Sequence, residues 1–150
     1  MNDMPKKEKP YKFLKNSVTA DIAFEATGKT LNEVFKNSAM ALMDTMVDMK
    51  TVKPRLKKPI RLRAKDESTL LINFLNEIVY YKDAESMLIS GFKVDIKKKE
   101  DAYLLTAELS GEPLHMGKHI LRSDVKAATW HMFELKQRGK QWIATVVLDI

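Results

Sequence analysis

The residues of this chain best equipped for chemistry are carboxylates near its last position. Asp149 stands one residue before Ile150, whose α-carboxylate adds a second anionic oxygen donor that no side chain has to supply. A third carboxylate brought beside this pair would raise pKa values or call for a hard cation such as Ca²⁺, Mg²⁺ or Mn²⁺. Spacing does not say which acid that would be, and an exposed acid at a strand end is the plainer reading of Asp149. Three histidines follow as candidates. His115 and His119 have the separation of a helical metal pair, but Pro113 and Gly117 around them point to a loop. His131, within VKAATWHMFEL, fits a hydrogen-bonded sheet residue as well as a functional one.

The other chemical feature is basic. Between Lys50 and Lys65 lie Lys53, Arg55, Lys57, Lys58, Arg61 and Arg63 with no acid among them, a run able to contact phosphates at low salt. No aromatic residue is interleaved, so base stacking is not indicated and a solvated strand face is an equal reading. Loops of the types G-x-x-x-x-G-K-[ST] and G-x-G-x-x-G are absent, as are H-E-x-x-H and G-x-S-x-G, so the common nucleotide-binding, zinc-protease and hydrolase frameworks are excluded. With no cysteine there are no disulfides or thiolate nucleophiles, and a cytoplasmic location is expected. No apolar run approaches the roughly 20 residues that span a bilayer, so no membrane partner is expected. A formal charge of +6 favours acidic partners.

The elements that must position these groups are legible from periodicity. Residues 1–10, with Pro5 and Pro10, read as a flexible polar leader, and residues 11–150 as one domain. Tyr11 to Leu14 is a short strand. Ile22, Phe24 and Ala26 alternate with Ala23, Glu25 and Thr27 in a second strand closed by Gly28, with Asp21 at its leading end. Thr30 and Glu33 form a capping box for a helix from about Leu31 to Val47, and Asp66 caps a second helix ending near Lys82. A strand through Ile60, Leu62 and Ala64 lies between them. Phe92 to Ile96 and Tyr103 to Leu109 make one hairpin, and Lys126 to Leu135 and Trp142 to Ile150 make another. The class is α+β, two helices packed on mainly antiparallel sheet. The methionines of MALMDTMVDM are read as adaptable core filling.

The segments TADIAFEATGKTLNEVFKNSAMALMDTMVD, LLINFLNEIVYY, VKAATWH and the final LDI, in that order, resemble the archease family over nearly the whole chain after Tyr11. The resemblance implies an accessory protein, not an enzyme, that activates an RtcB-type tRNA-splicing RNA ligase. Archeases promote guanylylation of that ligase, allow multiple turnover and broaden its nucleotide use, so tRNA is an indirect partner. The resemblance also supplies the third carboxylate: Asp21 of T-A-D joins Asp149 and the Ile150 carboxylate as metal ligands, with Ca²⁺ first and Mg²⁺ or Mn²⁺ next. On this view Ile150 matters for its carboxylate rather than its side chain. His119, Lys126 and His131 are compatible with ligase contacts or structural roles. The chain departs from the family where Val18 replaces a histidine, and at His115, which replaces an acid. The alternative function is an RNA-binding module delivering substrate through Lys50 to Lys65, and a metal-dependent hydrolase ranks last.

Overall fold

Both helices begin where a side-chain oxygen can accept an otherwise unpartnered N–H. Thr30 Oγ1 accepts from Glu33 N at 3.1 Å, and Asp66 Oδ1 accepts from Thr69 N at 2.7 Å. In the computed structural model, which describes residues 9–14 and 21–150, these caps open α1 (Leu31–Met46) and α2 (Glu67–Glu85). The capping box is displaced by one residue, since Glu33 Oε2 accepts from Lys29 N at 2.7 Å rather than from Thr30 N. α2 runs three residues past Lys82 and closes at Ser86, whose φ of 51° lies in the left-handed region.

The strands are β1 (Tyr11–Leu14), β2 (Ile22–Gly28), β3 (Leu56–Ala64), β4 (Met87–Lys99), β5 (Ala102–Pro113), β6 (Ala127–Arg138) and β7 (Gln141–Asp149). All pair antiparallel, as the alternation predicts, but they divide into two sheets, β1-β2-β7-β6 and β3-β5-β4. α1 packs on β2 and β7 of the first sheet and on β4 of the second, while α2 packs on β6 and β3. The last turns of α1 are therefore enclosed: Ala41 through Met46 are buried without interruption, where an ordinary surface helix would turn polar residues outward. Phe24, Phe35, Leu42, Phe74, Ile78 and Leu109 form the centre of one continuous core.

β6 departs most from regular pairing. Thr129 lies opposite Val147 and Glu134 opposite Thr145, so five steps along β6 match two along β7 and the residues between bow outward. Met132 in this bulge has a φ of 53°, and Trp130 and Met132 are exposed although both are large and apolar. The leader expected over residues 1–10 falls outside the described residues except for Lys9 and Pro10, and Pro10 O accepts from Thr27 N at 2.9 Å. Val18, Thr19 and Ala20 also fall outside them. Among the described residues no helix is long and apolar enough to cross a membrane.

Candidate metal centre

The pairing of β2 with β7 fixes the geometry of the carboxylates. Its register ends with Ile22 opposite Leu148, and Asp21 and Asp149 are the next residues along the two strands. Leu148 turns into the core, so alternation along β7 gives Asp149 the opposite parity, that of Val147. Asp149 is exposed and Asp21 half-buried. On the other side Asp149 pairs with Ala127, and Lys126 N donates to Asp149 O at 2.7 Å, so β6 pins the end of β7. The side chain of Ile150 is half-buried against the core, which holds that residue in place beside Asp149. The side chain of Ile150 thus has a packing role beside whatever its carboxylate does.

Among the described residues no three His, Cys, Asp or Glu side chains converge as metal ligands. A cation at this point would thus depend on two aspartates and a main-chain oxygen. That donor set consists only of oxygen, which suits Ca²⁺, Mg²⁺ or Mn²⁺ and not a soft metal.

Asp21 also lines a cleft of about 410 Å³ with Phe13, Asp44, Arg122 and Ser123. Asp44 was hidden in the sequence as one acid in a methionine-rich helix. In the fold it sits in the enclosed part of α1 at 8% exposure, where an unpaired charge would be expensive. It is paired from several directions: Tyr11 Oη donates to Oδ2 at 3.1 Å, Arg122 donates to Oδ1, and Lys9 Nζ lies 3.7 Å from Oδ2. Arg122 also donates to Asp44 O at 2.8 Å. The segment bearing Arg122 closes the C-terminal end of α1, since Arg122 N donates to Met46 O and Ser123 N to Thr45 O. A guanidinium placed there also meets the negative end of the helix dipole. Burial, and then the charge of Asp44, push the Tyr11 hydroxyl up to about 12. The signal that could have revealed Asp44 is its place on the apolar face of a helix with no local cation.

The histidines resolve as structural or peripheral. His119 is buried, and its Nδ1 accepts from His115 N at 2.8 Å, which leaves Nε2 to donate to Glu112 Oε2 at 2.9 Å. Both ring nitrogens are committed, so His115 and His119 form no metal pair, and the segment is a loop as Pro113 and Gly117 predict. Glu112 accepts in addition from Lys118 Nζ and, at 2.8 Å, from Lys53 N. The Lys118 ammonium, the Lys53 amide and the His119 ring hold its carboxyl down at about 2, below the usual carboxylate range. His131 is exposed in the β6 bulge.

The side chains of the basic run from Lys50 to Lys65 are divided among different partners and faces. Lys58 turns away to Glu85, its Nζ 4.4 Å from the centre of the Tyr81 ring, and Arg55 approaches Glu112 at 4.0 Å. Lys57, Arg61 and Arg63 remain exposed on β3.

The family model described as the Archease protein family matches residues 11–150. The chain belongs to the archease family. A protein archease of Methanosarcina mazei is 33% identical over 148 residues, covering 98% of this chain and all of the relative. One from Methanothermobacter thermautotrophicus is 38% identical over 133 residues, covering 89% and 94% of the two chains. The solution structure of a Methanobacterium thermoautotrophicum protein superposes with a TM-score of 0.85 at 36% identity, covering 95% of this chain and all of that one. An archease of Thermotoga maritima, described as a possible chaperone, has a TM-score of 0.60 at 15% identity over 91% of this chain and 98% of its own, a likeness of fold.

Proposed function

We propose that this archease-family chain is a non-enzymatic cytoplasmic accessory protein that activates an RtcB-type tRNA-splicing ligase, promoting its guanylylation and multiple turnover and broadening its nucleotide use. What supports the reading is the β2–β7 register, which ends at Ile22 opposite Leu148 so that Asp21 and Asp149 are the next residues along two neighbouring strands, at the end where Ile150 packs on the core. Asp21, Asp149 and the Ile150 carboxylate would hold one divalent cation, Ca²⁺ first and Mg²⁺ or Mn²⁺ next. When bound, such an ion supplies concentrated positive charge and exchangeable coordination positions. The chain's own residues do the positioning. β6 pins Asp149 through Lys126 N, the core holds Ile150, and Arg122 neutralises Asp44 so that a further buried charge does not compete beside Asp21.

The test is a turnover assay of an RtcB-type ligase with a fixed, substoichiometric amount of this protein. Asp21→Ala and Asp149→Ala should each reduce multiple-turnover stimulation by at least tenfold. A short extension after Ile150 should weaken it too, because the carboxylate becomes a peptide carbonyl, whereas an N-terminal tag should not. Stimulation by the two alanine variants equal to that of the unaltered protein would sink the reading.

A further inference from the structure

The three-stranded sheet buries one face and leaves the other open. Ile60, Leu105, Leu109 and Phe92 turn into the core, whereas Arg61, Thr106 and Asp95, which lie side by side across β3, β5 and β4, are exposed. The same register puts Lys57 and Arg63 of β3 and Lys93, Lys97 and Lys99 of β4 on the open face. Six cations thus share a surface with three carboxylates, Asp95, Glu108 and, at its edge, Asp101. Those acids engage the cations only loosely, with Lys57 and Lys93 at 3.7 and 4.0 Å from Glu108, Lys97 at 3.9 Å from Asp95 and Arg63 at 3.8 Å from Asp101. Exposed pairs of this length add little and leave the cations available.

From this arrangement we propose that the open face of β3-β5-β4 binds the sugar–phosphate backbone of RNA without reading its sequence. The charges run in rows along two strands, with alternate residues about 6.7 Å apart, so a polymer with regularly repeated anions can meet several at once. Across the middle strand the face presents Leu104, Thr106, Glu108 and Ser110; Leu104 is half-buried, and no aromatic or fully exposed large apolar side chain stands among them. A protein partner would need such a side chain to anchor a desolvated centre, and stacked bases would need an aromatic platform. What the face offers is contact with phosphates. Half of the cationic set comes from β4 and lies outside the Lys50 to Lys65 run.

Fluorescence anisotropy of the full chain with a labelled single-stranded oligoribonucleotide tests this, without ligase or divalent metal. Affinity should fall with salt, with a logarithmic slope of about −3 for four to five phosphate contacts. Arg61→Glu with Arg63→Glu, and separately Lys93→Glu with Lys97→Glu, should each weaken binding at least tenfold at low salt and flatten the slope by about 1.4. The charge-neutral Lys93→Gln with Lys97→Gln should lie between, and Lys12→Glu with Lys136→Glu, on the other sheet, should change affinity less than threefold. Overturning results are RNA affinity within twofold of the unaltered protein for the β4 reversal, an equal loss on the Lys12 and Lys136 reversal, or tighter binding of labelled polyglutamate than of RNA at the same salt. That last result would make the face a dock for acidic protein.

Discussion

Glu112 and Tyr11 are two groups whose protonation the fold has moved in opposite senses, and each predicts a pH limit. Glu112 is held at about 2 by its donors, so it contributes stability that is present above the ordinary carboxylate range and is lost as pH falls from about 4.5 to about 2. Glu112→Gln should unfold more easily at pH 7 and show a smaller further loss across that acid window, measured by thermal melts at each pH. Tyr11 is raised to about 12, so its contribution is present below pH 10 and is lost as pH rises from 10 to 12. Tyr11→Phe, which removes a donor from Asp44, should cost about 1 kcal/mol at pH 7 yet lose less than the unaltered protein between pH 10 and 12. A variant that kept the full alkaline loss would disconnect it from this hydroxyl. At the proposed metal centre the expectation is thermodynamic as well. Millimolar Ca²⁺ should raise the melting temperature of the unaltered protein and leave Asp21→Asn unmoved, because only a folded site gains from binding.

Elements were legible wherever one residue type forces a local choice. Thr30 and Asp66 had to be caps, alternation marked β2, β4 and β5, and Pro113 with Gly117 kept the His115 segment out of helix. The β6 bulge was not legible, because VKAATWHMFEL alternates no differently from a regular strand and the extra length appears only against β7. Its backbone makes a prediction. Met132 occupies a left-handed conformation that asparagine accepts more readily and β-branched residues resist. Met132→Asn should therefore stabilise by roughly 0.5 kcal/mol and Met132→Val destabilise by about 1 kcal/mol in urea titrations, and a result of the same sign for both would contradict strain at this position. On β5, Gly111 passes so near β4 that a Cβ would lie 1.8 Å from Leu88 O. Gly111→Ala should cost on the order of 3 kcal/mol, a fall in melting temperature of about 10 °C.

For the molecule as a whole, the fold class and the order of elements follow from periodicity, while the division into two sheets depends on contacts between distant strands that no local pattern encodes. The same holds for the carboxylates. Asp149 could be singled out by its neighbour Ile150, Asp21 only by resemblance, and Asp44 only once α1 was found enclosed between the sheets. The β2–β7 pairing also has a kinetic meaning. β4 and β5 form a local hairpin closed at Lys99 and Ala102, and β3 joins it from within the same stretch of Leu56 to Pro113, whereas Ile22 must wait for Leu148. Closing so long a loop delays that pairing, so pulsed hydrogen exchange during refolding should find the β4–β5 and β6–β7 hairpins protected before the amides that β2 and β7 share. Asp21 and Asp149 then approach one another only in the closing stage of folding. A cation bound between them would lengthen the lifetime of the native state while leaving its rate of formation unchanged.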